Sequence, residues 1–185
     1  MVGGSPANTR NKLVTVYEWA QLLGFISFAL GISTFYQKND GRLKLVMLLF
    51  NLNHLIHFAL LGSMVSALST GLSACRTASS IYTSSKWVAA GFVMIGLVLG
   101  GFNAEHWYDL WSISGMTIGT IAIFTLQGIA MRVAFLLGAI CWLINNIIVG
   151  SIGGTLLEAT LLSINCLTIF RLFREKKKTL PRQAL

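Results

Sequence analysis

The chain has 185 residues, of which 55% are hydrophobic and 11% are charged, and its mean hydropathy is +0.71. Soluble domains carry about 25% charged residues, so water cannot be the main solvent of this surface. In a bilayer the structural unit is a helix of about 20 apolar residues, and about seven such helices fit in this length. The composition therefore excludes a soluble globular domain and predicts an all-α integral membrane protein.

The formal net charge of +8 lies in short stretches between apolar segments and in a basic tail. The basic residues of the tail are Arg171, Arg174, Lys176, Lys177, Lys178 and Arg182. Such stretches are typical of cytoplasmic loops and of contact with anionic lipid headgroups, whereas nucleic acid needs a continuous basic groove. We expect a cytoplasmic C-terminus, anionic lipids as partners of the tail, and no nucleic acid.

Seven segments are predicted as membrane helices, in chain order 13–36, 45–65, 67–83, 87–102, 110–126, 133–150 and 155–173. The first is too long for a signal-peptide core and no cleavage site follows it, so it is predicted to be uncleaved. Pro6 and Pro181 both lie outside the spans, so no proline kink is expected.

The third segment, 67–83, is the weakest, because it consists of small and polar residues and contains Arg76. Small residues suit a helix packed tightly between others, but also a polar loop. With seven helices and an outside N-terminus, eleven basic residues face the cytoplasm and two face outside; with six helices the split is eleven to three. Seven is preferred, because six would put Lys38, Arg42 and Lys44 in one short outside loop.

A short internal repeat supports seven helices. Gln37-x4-Arg42 matches Gln127-x4-Arg132, and Leu61-Gly62-Ser63 matches Val149-Gly150-Ser151, with offsets of 90 and 88 residues. Two three-helix repeats separated by one helix would be parallel, about an axis along the membrane normal. The expected organisation is a polar tail at 1–12, a first repeat at 13–84, a linker helix at 85–104, a second repeat at 105–173 and a basic tail at 174–185.

Polar residues at mid-membrane depth are the best pointers to function, because they are costly there. The candidates for a substrate path are His54, His57, Arg76, Trp142, Asn145, Asn146, Glu158 and Asn165. At the 88-residue offset His54 corresponds to Trp142 and His57 to Asn145, which predicts a ring and a hydrogen-bonding group from each repeat at one level. Such a set suits a small polar solute, but it equally suits structural hydrogen bonds between helices.

Arg76 and Glu158 are expected to pair, since a lone charge at this depth is unfavourable. The pair would serve as a gate, as a proton-linked switch or as a purely structural contact. Glu158, one turn into its span, could instead reach the outer interface.

Enzyme chemistry is not expected. His54-x2-His57 has no further ligands at metal spacing, and Cys75, Cys141 and Cys166 have neither disulfide nor metal spacing. The sequence has no nucleophile-elbow, dinucleotide-binding or zinc-protease motif. Glu105, His106 and Asp109 are interpreted as a solvated loop, and no metal or cofactor is expected.

The run Cys141-Trp-Leu-Ile-Asn-Asn146, then Val149-Gly-Ser-Ile-Gly-Gly-Thr-Leu-Leu-Glu158, Asn165 and the basic end from Arg171 resembles the YgjV family of bacterial inner-membrane proteins. Together with Gly62 and the segment around Arg76, the resemblance covers essentially the whole chain. It implies a multi-pass protein of the inner membrane and no particular substrate.

The implied architecture is similar to that of triple-helix-bundle carriers, including SWEET and PQ-loop proteins, by analogy of fold. Those helices carry prolines, and this chain has none in its spans, so Gly24, Gly31, Gly62, Gly115, Gly119 and Gly150 would supply flexibility. The leading hypothesis is a small-polar-solute carrier; the alternative is a non-transporting assembly or interaction protein. A second copy of the chain is a further candidate partner.

Overall fold

The computed structural model describes residues 6–34, 40–126 and 128–179. All regular structure in these ranges is helical, and the all-α class with seven helices is confirmed. The helices are α1 (Pro6–Ser33), α2 (Asp40–Leu60), α3 (Met64–Tyr82), α4 (Lys86–Asn103), α5 (Asp109–Thr125), α6 (Gly128–Val149) and α7 (Ile152–Thr179).

The first and last helices of the chain are longer than the apolar segments predict. Helix α1 begins at Pro6, inside the polar stretch, and proline is well suited to a first turn because its missing N–H has no partner there. Helix α7 continues through the first basic residues of the tail to Thr179. Gln37 and Gln127, which begin the first repeat match, and Lys38 and Arg182 lie outside the described residues.

Helix α3 resolves the choice between six and seven helices. Its 19 residues include nine buried ones, among them Ser66, Ser73 and Arg76. At 1.5 Å per residue the helix is about 28 Å long, close to the thickness of the hydrocarbon core. Because its neighbours rather than lipid surround it, α3 does not need an apolar surface.

Six helices form a closed ring. In ring order they are α1, α2, α3, α5, α6 and α7, and α7 contacts α1 again. Helix α4 lies outside the ring, against α3 and α5. Helices α3 and α7 are therefore opposite each other.

The ring has an approximate two-fold relationship between its halves. If α1, α2 and α3 correspond to α5, α6 and α7, the α1–α7 contact corresponds to the α3–α5 contact. The turns that follow α2 and α6 correspond as well. Gly62 and Gly150 have φ of +77° and +76°, and Ser63 and Ser151 donate backbone N–H to Phe58 and Asn146.

These two turns are Schellman motifs, in which a left-handed residue, usually glycine, ends a helix. We call the end of the ring that carries Gly62 and Gly150 the glycine end. The opposite end carries Lys44, Lys86, Arg132 and Arg174, and we call it the basic end.

The outer surface of the ring is apolar. Within the part of the chain that the structure describes, three helical segments are long and apolar enough to cross a membrane: Val14–Ser33, Lys86–Asn103 and Ile129–Val149, each with most of its residues unburied. Lys44–Leu60 and Ile152–Leu167 are shorter apolar helices. Large apolar side chains such as Leu52, Leu97 and Ile147 are exposed on this surface, where lipid would cover them.

Candidate functional site

The ring encloses a cavity of about 380 Å³. Residues of α2, α3, α5, α6 and α7 line it, together with Thr34 directly after α1, whereas α4 contributes none. The polar and aromatic lining residues are Thr34, Ser73, Arg76, Arg132, Phe135, Trp142, Glu158 and Asn165. Since Thr34 and Arg132 lie near helix ends, the cavity extends from the middle of the ring to the basic end.

Arg76 reaches the cavity from α3. Its guanidinium donates one hydrogen bond, from Nη1 to Oγ1 of Thr120 at 3.1 Å, and Nε has no partner. Gly119 leaves room for the guanidinium, because a Cβ there would lie 3.1 Å from Nη1. A buried cation with unused donors is well suited to bind an anionic group.

Glu158 reaches the same cavity from the opposite side of the ring. It is 9% exposed, so it does not extend to an outer interface, and among the described residues it has neither an ion pair nor a hydrogen bond. The expected pairing with Arg76 is wrong for this structure. The two side chains come from opposite helices, and the cavity separates them.

At the glycine end, hydrogen bonds close the ring. His57 is fully buried; its Nδ1 lies 2.6 Å from the carbonyl oxygen of Ala20, and its Nε2 lies 2.7 Å from Oγ of Ser151. A carbonyl only accepts, so Nδ1 carries the proton and Nε2 of the neutral ring accepts from the Ser151 hydroxyl. This arrangement joins α1, α2 and the turn before α7.

The second half of the ring contributes a related contact. Ser63 donates its hydroxyl to Ser66, and Ser66 donates to Oδ1 of Asn145 at 2.9 Å. Asn145 corresponds to His57, and Ser63 to Ser151, at the 88-residue offset. Each half of the ring thus reaches the turn of the other half. We refer to His57, Ser66, Asn145, Asn146 and Ser151 as the polar layer.

Two asparagines of the polar layer are incompletely satisfied. Nδ2 of Asn145 and both side-chain polar atoms of Asn146 are buried without a partner. Each such atom costs about 1–3 kcal/mol relative to a hydrogen-bonded one. The closed layer is therefore less stable than a fully hydrogen-bonded one.

Aromatic side chains lie directly below the polar layer. His54 stacks on His57 with ring centroids 5.2 Å apart, and Phe58 stacks on Trp142 at 5.9 Å. The imidazole of His54 also lies 2.9 Å from Oγ of Ser27. Trp142 also lines the cavity, so its side chain lies between the polar layer and the cavity.

The predicted residues thus divide into two groups. Arg76, Trp142, Glu158 and Asn165 line the cavity. The other four do not line the cavity but lie in or next to the polar layer: His54, His57, Asn145 and Asn146.

Sequence reasoning did not identify Ser151, Ser66 and Thr120 as partners of the candidates, nor Arg132 as a cavity residue. Serine and threonine give little signal in an apolar helix. For Ser151, the repeat around Gly150 marks the turn, although it does not show that His57 reaches it.

His57 is not free to ligate a metal ion through either ring nitrogen. Both ring nitrogens of His57 are engaged with protein groups. Within the described ranges there is no group of three or more His, Cys, Asp or Glu side chains that could hold a metal ion.

A second cavity, of about 650 Å³, lies at the glycine end, on the other side of the polar layer. Its lining includes Ser63, Glu105, His106 and Asp109. Oδ2 of Asp109 accepts the backbone N–H groups of Glu105 and His106, so this carboxylate organises the turn before α5.

Comparison with known proteins agrees with the apolar outer surface expected of a membrane protein. The family model Imp-YgjV, described as bacterial inner membrane protein, matches residues 18–176. Inner membrane protein YgjV of Escherichia coli (strain K12) is 34% identical over 165 residues, which cover 89% of this chain and 90% of that protein. No solved structure gave a significant match. The chain therefore belongs to the YgjV family of bacterial inner membrane proteins.

Proposed function

We propose that this protein is a carrier for a small polar solute. The observation that supports the proposal is the cavity of about 380 Å³ inside a two-fold-related ring, which reaches the basic end and stops at the polar layer. Binding sites between two related halves of a helical bundle are typical of carriers that work by alternating access.

The orientation follows from charge. We propose that the basic end faces the cytoplasm, because basic residues near helix ends are retained on that side. The N-terminus of α1 is then periplasmic and the C-terminal tail is cytoplasmic, where anionic lipid headgroups would bind it. In this orientation the cavity is open to the cytoplasm.

Movement of one half of the ring against the other would open the glycine end. Among the described residues, the hydrogen bonds that join the two halves near the glycine end and would have to break include those of His57 with Ser151, Ser66 with Asn145, and Gln21 with Gly150 and Ile152. The unpartnered atoms of Asn145 and Asn146 would gain water or solute as partners, which lowers the cost of opening.

Uptake into proteoliposomes tests the proposal. Gly138 lines the cavity and has no atom closer than 3.7 Å to an added Cβ, so Gly138→Leu would reduce the cavity. Gly101 has open space around it, so Gly101→Leu is the matched control. For a panel of labelled sugars, amino acids and vitamins, we expect uptake of one class that Gly138→Leu abolishes and Gly101→Leu preserves. Absence of any uptake or binding contradicts the carrier proposal.

A second candidate function is a non-transporting assembly protein. The observation in its favour is that the side chains of Asn53 and His57 form hydrogen bonds with neighbouring parts of the ring, as structural contacts do. For such a protein, reducing the cavity with Gly138→Leu would leave function in the cell unchanged. Cell growth, or recovery of a partner protein, that depends on this protein but is unchanged by Gly138→Leu would favour this alternative.

A further inference from the structure

The polar groups of the cavity lie at two depths. Helices α3 and α7 follow corresponding turns, so their first residues lie at about the same level. Arg76 is twelve residues after Met64 and Asn165 is thirteen after Ile152, which puts both about 18–20 Å from the glycine end. Glu158, six residues after Ile152, lies only about 9 Å from it.

The deeper pair, measured from the glycine end, offers hydrogen-bond donors. The guanidinium of Arg76 lines the cavity and makes one hydrogen bond to a described residue, at Nη1, and Asn165 adds a carboxamide from the opposite helix. Guanidinium and amide N–H groups bind a carboxylate with strong, directional hydrogen bonds.

The level of Glu158, which is closer to the glycine end, suits a cationic group of a ligand. Glu158 presents a carboxylate without a partner, and Trp142 lies seven residues before the end of α6, about 10 Å from the glycine end and thus at a similar depth. An ammonium group there would pair with the carboxylate and contact the indole face.

Each charge alone is unfavourable in a low-dielectric environment. Arg76 and Glu158 are on opposite helices and do not reach each other, so neither charge compensates the other. A ligand that carries both charges would satisfy both residues at once.

We propose that the cavity binds an elongated zwitterion, with its carboxylate at Arg76 and Asn165 and its ammonium at Glu158 and Trp142. The six-residue difference in depth separates the two binding levels by about 9 Å. A charge-assisted hydrogen bond of about 2.8 Å at each end would leave only about 3–4 Å of this depth difference, but α3 and α7 also lie on opposite sides of the ring, which lengthens the path between the two groups. The ligand charges must then be several bonds apart, as in an ω-amino acid and not in an α-amino acid. This inference depends on the proposed solute-binding role.

Thermal unfolding of the purified protein with unbranched ω-amino acids of increasing length tests the inference. We expect the rise in Tm to be largest at about four to six carbon atoms, given contacts of about 2.8 Å at each end. Glycine, and the fatty acid and the alkylamine of matching length, should give much smaller shifts. The series on the unaltered protein decides the matter even if a variant fails to fold.

Two variants test which residue binds the ammonium group of the ligand and which binds its carboxylate. Glu158→Gln should weaken binding of the best ω-amino acid at least tenfold while leaving the fatty acid of the same length unaffected. Arg76→Met should abolish the response to both. Glu18→Gln, at an exposed position on α1, is the control and should change neither.

Three results would overturn the inference. In the first, α-amino acids bind better than longer ones; in the second, a neutral or singly charged solute binds instead. Either leaves the carrier proposal intact. In the third, no solute binds and none is transported, which removes the carrier proposal as well.

Discussion

His57 and Ser151 are 94 residues apart in the chain, yet the imidazole Nε2 and the serine Oγ lie 2.7 Å apart. His57 belongs to α2, which is followed by the turn at Gly62, and Ser151 belongs to the turn of the other half of the ring, directly after Gly150. This contact therefore forms only when the two halves of the ring are closed against each other at the glycine end.

Ser151→Ala removes the hydroxyl that His57 accepts from. The imidazole nitrogen would stay buried without a donor, so we expect a loss of about 1–3 kcal/mol in the free energy of unfolding. Thermal unfolding in detergent measures it. Ser163→Ala is the matched control: Ser163 is exposed and bonds only to its own helix at Ala159, so a change within about 0.5 kcal/mol is expected. Equal effects from the two variants would contradict a closing role for Ser151.

Sequence reasoning identifies residues that the structure places in the cavity or in the polar layer, but it does not predict the contacts they make. His57, Trp142 and Asn145 were identified because polar and ring groups are costly inside a membrane and recur at the 88-residue offset. Their partners lie on other helices, and local spacing carries no information about how each helix is rotated.

The error over Arg76 and Glu158 has a related cause. Opposite charges in an apolar chain suggest a pair, but the order of helices around the ring puts α3 and α7 on opposite sides. Ring order depends on all six interfaces together, which one-dimensional spacing does not encode. Helix α3, by contrast, is predicted correctly, because six helices would put Lys38, Arg42 and Lys44 in one outside loop and because the internal repeat favours three helices in each half.

The corrected geometry of Arg76 and Glu158 predicts independent effects on stability. In the absence of ligand, the coupling energy between Arg76→Met and Glu158→Gln should be below about 0.5 kcal/mol, as for distant sites. Because Arg76 has no ion-pair partner among the described residues, replacing it with an apolar side chain of similar length removes an uncompensated buried charge and should be neutral or stabilising. A double-mutant cycle from denaturant unfolding measures both quantities. A coupling of more than about 1 kcal/mol would instead indicate a direct ion pair.

Helices α1 and α7 approach each other closely at Gly24 and Gly153. A Cβ added to Gly153 would lie 2.2 Å from the backbone carbon and oxygen of Gly24, and backbone atoms cannot move away as a side chain does. Gly153→Ala should therefore separate α1 from α7 and cost about 3 kcal/mol or more, the upper range for overpacking.

Gly91→Ala is the control for that substitution, because nothing lies within 4 Å of an added Cβ there. Alanine is favoured over glycine in a helix by about 1 kcal/mol, so this variant should be as stable as the parent or more so. Size-exclusion profiles and melting temperatures of the two variants give the comparison. A folded, fully stable Gly153→Ala protein would mean that α1 and α7 do not cross at this point.

The proposed orientation is tested with single cysteines in a protein whose Cys75, Cys141 and Cys166 are replaced by alanine. Ser84 and Glu105 are both exposed and lie in the connections before and after α4, hence at opposite ends of the ring. A membrane-impermeant maleimide added to intact cells should label Glu105→Cys and leave Ser84→Cys unlabelled until the membrane is permeabilised. The expected pattern follows from the basic residues at the Ser84 end, which the cytoplasmic side retains. The reverse pattern would turn the cavity toward the periplasm, and labelling of both sites in intact cells would mean that α4 does not cross the membrane.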